Sequence, residues 1–243
     1  MRKIYLVPNF VTTANMFCGF YSVVASTQND FLTASWAIVA AGVFDMLDGR
    51  IARLAKATSQ FGVEYDSLSD LISFGMAPGI LLYLWALAPY ERLGWLAAFL
   101  FLACGALRLA RFNVTTASLP SNYFQGLPIP MAAGMVATFV IFTRAMGWDD
   151  AFEHPIVLVL TFVIASLMVS TVAFPSFKEL NWRSRASFGY LLMGVILMIL
   201  IAVRPEITLF ISLSTYIGLS LLWNLYRLWV GVPSSQSDQQ KGV

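Results

Sequence analysis

The chain has 243 residues, of which 58% are hydrophobic and only 12% are charged, and its mean hydropathy is +0.73. A single soluble core of this length cannot bury so much apolar surface, which excludes an ordinary soluble domain. The formal net charge of +2 gives no basic surface of the kind that binds nucleic acid, so we expect no nucleic-acid partner.

Long apolar segments recur along almost the whole chain. A transmembrane helix needs about 20 predominantly apolar residues, and the predicted spans are residues 10–27, 31–55, 68–88, 93–112, 128–146, 155–174, 187–203 and 206–230. This pattern predicts an all-α fold, a polytopic transmembrane bundle of about eight helices. We expect residues 1–232 to form one transmembrane domain and residues 233–243 to form a disordered cytoplasmic tail.

The basic residues are distributed unevenly between the two sides of the predicted bundle. If Arg2 and Lys3 are cytoplasmic and the eight spans alternate, all of the 15 basic residues except Arg92, Arg144 and Arg204 fall on the cytoplasmic side. The positive-inside rule predicts this bias for a correct orientation. Both termini are therefore expected in the cytoplasm.

Four aspartates, Asp45, Asp48, Asp66 and Asp70, lie close together in this apolar chain. Carboxylates near a bilayer are costly, so they usually mark function. Helical spacings of three and four place the first two on one face of the second span and the last two on one face of the third. Four converging carboxylates would repel one another unless a cation neutralised them, and oxygen ligands favour Mg²⁺ or Mn²⁺. The spacing therefore predicts a metal site at the cytoplasmic helix ends.

The residues between the aspartates are small or basic. Gly49, Ala52 and Gly62 leave room for a bulky group near the backbone, and Arg53 offers a planar fork suited to phosphate oxygens. For any one aspartate, a salt bridge or a loop cap is the simpler interpretation. The repeated spacing of all four, with glycine, alanine and arginine interleaved, instead indicates a site for a diphosphate or a nucleotide.

The complete pattern resembles a known family signature. It reads Asp45-x-x-Asp48-Gly49-x-x-Ala52-Arg53, then eight residues, then Gly62-x-x-x-Asp66-x-x-x-Asp70. The chain matches every fixed position and is identified as a member of the CDP-alcohol phosphotransferase family. Through residues 8–19, 108–113 and 126–130 it is similar, within that family, to the bacterial and archaeal integral-membrane phosphatidylserine synthases.

The resemblance implies a reaction and a set of roles. It implies phosphatidyl transfer from CDP-diacylglycerol to the hydroxyl of L-serine, giving phosphatidylserine and CMP. The ligands it implies for two divalent ions, Mg²⁺ or Mn²⁺, are Asp45, Asp48, Asp66 and Asp70, with Asp70 also the general base. The recess for cytidine and diphosphate would be formed by Gly49, Ala52, Arg53 and Gly62, and further lining is expected from Asn9, Thr12 and Asn15.

The acceptor side is expected where the fourth span ends. Arg108, Arg111 and Asn113 lie there, and such a group could bind the serine carboxylate or a lipid phosphate. Arg111 and Asn113 are the favoured acceptor-side residues. Basic residues also gather at cytoplasmic helix ends for topological reasons alone, so Arg108 by itself indicates little.

The expected setting is a bacterial or archaeal cytoplasmic membrane, with the active site facing the cytoplasm among membrane lipids and the protein a homodimer. Two alternatives stay open at this point. The same chemistry could use glycerol 3-phosphate or inositol phosphate as acceptor. A divalent-cation transporter would also hold aspartates in the membrane, although transporter sites lie near the midplane rather than at helix ends.

Overall fold

The computed structural model describes residues 6–54, 59–116, 123–148, 155–175 and 187–230. Its α-helices are α1 (Leu6–Thr27), α2 (Phe31–Leu54), α3 (Gln60–Asp70), α4 (Ala77–Leu82), α5 (Glu91–Thr116), α6 (Ile129–Ala145), α7 (Pro155–Val169), α8 (Ser187–Val203) and α9 (Pro205–Val230). Two π-helical segments, Leu71–Met76 and Tyr83–Leu87, flank α4, and a short 3₁₀ turn, Ala88–Tyr90, precedes α5.

Helix is found in each of the eight segments predicted as spans. Among the residues that the structure describes, three helical stretches are long and apolar enough to cross a membrane, namely Phe31–Ile51, Gln60–Val114 and Pro205–Arg227. Shorter apolar helices occupy Ile129–Ala145 and Pro155–Val169. The architecture is thus that of a helical membrane protein, and the number of eight spans stays a prediction.

The described residues are almost entirely helical, as expected for an all-α fold, and two short strands are a local exception. Strand β1 (Tyr123–Gln125) pairs antiparallel with β2 (Ala173–Pro175), with Phe124 opposite Phe174. Each strand has only three residues, too few for a recognisable alternating pattern, and the partners are about fifty residues apart. Strand β1 lies in the loop predicted after the fourth span, whereas most of β2 lies within the predicted span 155–174, whose helix ends earlier, at Val169.

The first two helices form a hairpin with a short turn. Asn29 adopts a left-handed conformation with φ of 60°, and Asp30 begins α2 as its N-cap, accepting a hydrogen bond from the Thr33 amide at 3.1 Å. Hydrogen bonding by Thr33 holds the pKa of the Asp30 carboxyl below its ordinary value. The turn returns α2 along α1 and brings the aspartate end of α2 to the first half of α1.

A second hairpin joins α3 and α4 to α5, and glycines set its packing. A Cβ on Gly79 would lie 3.2 Å from the Ala98 carbonyl oxygen, and one on Gly75 would lie 3.0 Å from Leu102. The chain reverses at Glu91, whose φ is 46°. Gly79 meets Ala98 and Gly75 meets Leu102, so α5 runs antiparallel to the helices before it. The C-terminal end of α5 therefore returns to α3, where Asp66 and Asp70 lie.

Serine hydroxyls join α1 to the helix that carries the last two aspartates. Ser69 Oγ donates to the Thr12 carbonyl at 3.0 Å, and Ser73 Oγ donates to the Asn15 carbonyl at 2.9 Å. One turn further, Gly19 lets the helices approach so closely that an added Cβ would lie 2.6 Å from the Cα of Ser73. Small residues and hydroxyl bonds of this kind are typical of helix contacts in membranes.

We predict that Gly94→Ala destabilises the second hairpin, because its new Cβ would overlap the carbonyl group of Leu87. Overpacking of this kind costs about 1–3 kcal/mol. Thermal unfolding of the purified protein in detergent measures the effect. The matched control is Gly42→Ala, because a Cβ there has no atom within 4 Å in the part of the chain that the structure describes. Equal unfolding temperatures for the two variants would contradict the packing described here.

Candidate functional site

Three of the four aspartates form a compact carboxylate cluster between α2 and α3. Asp45, Asp48 and Asp66 each direct one carboxylate oxygen so that these atoms all lie within 4.8 Å of one another. Asp48 is buried, and the other two are partly buried. Helical spacing explains the arrangement, because Asp45 and Asp48 share one face of α2 and that face meets Asp66 of α3.

Asp70 lies beside this cluster. It is the last residue of α3, only 8% of its side chain is exposed, and it interacts electrostatically with the other three carboxylates. It is not among the three whose oxygens meet within 4.8 Å. The π-helical segment that begins at Leu71 follows it directly, and such irregular turns are frequent at functional sites. The structure therefore brings together all four predicted aspartates, three in one cluster and the fourth at its side.

The donor set fits a hard divalent cation. The three clustered side chains offer oxygen ligands only, as Mg²⁺ and Mn²⁺ prefer. One carboxylate oxygen, Oδ1 of Asp66, is buried and accepts no hydrogen bond from any residue that the structure describes. A buried acceptor without a partner is costly unless a ligand satisfies it. These observations identify Asp45, Asp48 and Asp66 as residues that could hold a metal ion.

Helix α1 supplies hydrogen-bond donors to two of the aspartates. Thr12 Oγ1 lies 3.2 Å from Asp48 Oδ2 and equally far from the Pro8 carbonyl oxygen, to which it can alternatively donate. Asn15 Nδ2 donates to Asp70 Oδ1 at 3.1 Å, and Asn15 is fully buried. The sequence assigns Thr12 and Asn15 to the nucleotide, whereas their contacts in the structure are with the aspartates.

The glycines of the signature lie where a recess is expected. No atom of the described residues lies within 4 Å of a Cβ built on Gly49. A Cβ on Gly62 would lie 3.2 Å from Ser59 Oγ and 3.6 Å from Asn9 Oδ1, so Gly62 and Asn9 are neighbours. Ala52 and Arg53 belong to the last turn of α2, and their side chains lie outside the described part of the structure.

Several hydroxyl residues that the sequence analysis did not select support the aspartates. Ser69 and Ser73 follow Asp66 by three and seven residues and therefore share its helix face, where they bind α1 carbonyls. Tyr65 shares a hydrogen bond of 2.9 Å with Thr13. Their spacing from Asp66 would have allowed the sequence to place both serines on the aspartate face. It would not have predicted their bonds to α1, because hydroxyl residues in helices commonly bond within their own helix.

The predicted acceptor-side residues separate into different environments. Asn113 Nδ2 donates to Ser67 Oγ at 2.9 Å and so links α5 to α3. Arg111 donates to the backbone carbonyls of Val169 at 3.0 Å and Gln125 at 2.9 Å, and it also approaches those of Met168 and Ser170. The guanidinium thus caps the C-terminal end of α7 and fastens it to β1, as basic groups commonly do at that end of a helix.

Arg108 differs from Arg111 in being buried beside the aspartates. Only 7% of the residue is exposed, and its guanidinium carbon lies 5.2 Å from the centre of the Phe112 ring. Among carboxylates, Asp70 and then Asp45 interact most strongly with it. The structure thus gives Arg111, a favoured acceptor-side residue, a helix-capping role and places Arg108 next to the site.

Comparison with known proteins agrees with the aspartate geometry. Residues 5–213 match the model of the CDP-alcohol phosphatidyltransferase family. The chain belongs to this family. It is 35% identical to a protein named CDP-diacylglycerol–serine O-phosphatidyltransferase from Helicobacter pylori, over 93% of this chain and 92% of that protein. Proteins of the same name from Bacillus subtilis and Methanocaldococcus jannaschii are 36% and 34% identical, over 71% and 74% of this chain and 92% and 78% of theirs.

Membership places the protein among integral-membrane phosphotransferases and confirms the family expected from the signature. The match extends well beyond residue 130, where the last of the recognisable sequence segments ends, into the C-terminal helices. The aspartate cluster is therefore part of a family fold that continues through most of the described bundle.

We predict that Thr12→Val weakens metal binding at the cluster. Without its hydroxyl donor Asp48 is less firmly oriented, and loss of a partner that orients a metal ligand typically costs about 10–100-fold in affinity or activity. Titration of the purified protein with Mn²⁺, followed by electron paramagnetic resonance, measures the affinity. Thr13→Val is the matched control, because Thr13 contacts the Asn9 carbonyl and Tyr65 but none of the aspartates. An unchanged Mn²⁺ affinity in Thr12→Val would show that this hydroxyl does not support the metal site.

Proposed function

We propose that the protein transfers a phosphatidyl group from CDP-diacylglycerol to L-serine, with phosphatidylserine and CMP as products. The observation that carries the proposal is the meeting of Asp45, Asp48 and Asp66 within 4.8 Å, with Asp70 beside them. The names of relatives that align with most of this chain favour serine over the other acceptors and argue against a cation transporter.

The cluster would hold the divalent ions, Mg²⁺ or Mn²⁺, on which this chemistry depends. When bound, such ions neutralise the diphosphate of the donor and polarise the phosphoryl group under attack. Asp45, Asp48 and Asp66 supply the convergent oxygens, and Asp70 is close enough to contribute as well. Thr12 and Asn15 keep two of these carboxylates in place from α1.

Asp70 is the proposed general base. Its Oδ1 accepts a hydrogen bond from Asn15, which leaves Oδ2 as the oxygen that takes the proton of the serine hydroxyl. The serine oxygen then forms a bond to the phosphorus that carries the diacylglycerol, and the bond from that phosphorus to the bridging oxygen breaks. The electron pair leaves with CMP, and the proton remains on Asp70. A base is needed because a serine hydroxyl is a weak nucleophile at neutral pH.

The donor's nucleotide is proposed to lie in the recess beside the cluster. Open space at Gly49 and the adjacency of Gly62 and Asn9 support this assignment. Ala52 and Arg53 are proposed to complete the recess, with Arg53 binding phosphate oxygens. Arg108, Arg111 and Asn113 are proposed for the acceptor side, with Arg111 and Asn113 acting through the helices that they join.

The setting of the reaction is proposed from the sequence. The bias of basic residues favours cytoplasmic termini and a site that opens to the cytoplasm, where serine is available. We further propose that residues 1–232 act as one catalytic domain, that residues 233–243 form a tail, and that two copies form a homodimer in the membrane.

An acceptor assay tests the proposed reaction. Purified protein is supplied with CDP-diacylglycerol, Mn²⁺ or Mg²⁺, and one acceptor at a time: L-serine, glycerol 3-phosphate or inositol phosphate. We expect release of CMP to depend on serine and on the divalent ion, and to stop when the ion is chelated. Release that required glycerol 3-phosphate but not serine would replace the proposed acceptor, and Mn²⁺ uptake into vesicles without any CMP release would favour a transporter.

We predict that Asp70→Asn abolishes transfer, with a loss of at least about 10²-fold because the base is removed, while CDP-diacylglycerol binding is largely kept. The donor's dissociation constant and the rate of CMP release are measured on the same preparation. Asp30→Asn is the control, because Asp30 is an exposed helix cap at the other end of α2. Loss of both donor binding and Mn²⁺ binding in Asp70→Asn would mean that Asp70 is mainly a structural ligand.

A further inference from the structure

We propose that Arg108 binds the carboxylate of L-serine and thereby selects the acceptor. This inference rests on the proposed function, and it adds which side chain distinguishes serine from an amino alcohol that lacks the carboxylate. The evidence consists of the burial of Arg108, the lack of a hydrogen bond from its guanidinium to any described residue, its level in the bundle, and the chemistry of the acceptor.

The burial of Arg108 without a partner is the first observation. Arg108 is only 7% exposed. Within the described part of the chain, its guanidinium stacks on the Phe112 ring but forms no hydrogen bond or ion pair. A guanidinium has five N–H donors in a fixed fork, and a buried charge is costly when it stays unpaired. Asp70 and Asp45 partly balance this charge, but no described residue accepts a hydrogen bond from the fork, so its N–H donors are open to a further anionic ligand.

The position of Arg108 in the hairpin is the second observation. Gly75 faces Leu102 in α5, and Asn113 is hydrogen-bonded to Ser67. Between these two contacts, the antiparallel packing places Arg108 level with the end of α3, where Asp70 lies. Asp70 is also the carboxylate that acts most on Arg108, which agrees with this placement. The buried cation and the proposed base therefore lie side by side.

Serine fits this pair of groups. Its hydroxyl-bearing carbon is separated from its carboxylate by only one further carbon, so a serine whose hydroxyl approaches Asp70 carries its carboxylate to the neighbouring space. An arginine fork matches a planar carboxylate through two parallel hydrogen bonds. Arg111 cannot serve equally well, because its guanidinium is engaged by carbonyl groups at the end of α7.

The test compares two acceptors in one variant. Serinol is serine with its carboxylate replaced by a hydroxymethyl group, so it keeps the amine and the reacting hydroxyl. In Arg108→Gln we expect kcat/KM for L-serine to fall about 100-fold, the range found when one partner of a buried charge pair is removed. We expect kcat/KM for serinol, and KM for CDP-diacylglycerol, to change no more than about threefold, so the preference for serine collapses.

Two further variants keep the result interpretable. Arg108→Lys retains the charge without the fork and should recover part of the preference for serine, which also covers the case in which Arg108→Gln does not fold. Arg204→Gln is the matched control, since Arg204 is exposed at the start of α9 and remote in sequence from the aspartates. It should leave both acceptors unaffected.

Several outcomes would overturn the inference. If Arg108→Gln lowers transfer to serine and to serinol by the same factor, Arg108 acts on the donor, the aspartates or the fold. If KM for CDP-diacylglycerol rises in parallel, the anion that Arg108 binds is the diphosphate of the donor. If the parent protein releases CMP with serine but Arg108→Gln keeps the ratio of kcat/KM for serine to kcat/KM for serinol, only the role of Arg108 is refuted. A parent protein that does not use serine at all would instead refute the proposed function.

Discussion

The mutual repulsion of carboxylates within an apolar bundle is the constraint on which this structure depends. Asp45, Asp48 and Asp66 bring their oxygens together where little solvent is available to screen them. Such an arrangement persists only if cations neutralise it and if hydrogen-bond donors orient each carboxylate. The chain provides donors on α1 that orient Asp48 and Asp70. Asp66 Oδ1, which accepts no hydrogen bond from the described residues, is left available to a cation.

The packing of α1 follows from the same requirement. Ser69 and Ser73 bind its carbonyls, and Gly19 allows the close approach at Ser73. Because α1 is fixed along that line, Asn15 reaches Asp70 from a rigid helix rather than from a loop. Rigid elements hold a catalytic group more precisely than loops do, so helix contacts distant from the substrate contribute to the position of the proposed base.

The second hairpin provides the proposed acceptor end of the site through its own helix packing. Its glycine packing returns the C-terminal end of α5 to Asp70, where Arg108 is buried. Arg111, only three residues later, instead joins α7 to the small sheet. One helical turn thus carries two arginines in separate environments, one buried beside the aspartates and one holding the surrounding helices together.

The amino-acid sequence by itself determined the membrane class, the helical segments, the aspartate motif and the family, because these depend on local composition and on spacing along one helix. Only the tertiary structure decided that Thr12 and Asn15 contact aspartates, that Arg111 caps α7 while Arg108 lies beside Asp70, and that residues 123–125 and 173–175 pair as strands. The physical reason is that these contacts join residues about 30 to 60 positions apart, and their partners are chosen by how whole helices pack. A helical period states which face a residue occupies, but not which neighbour meets that face.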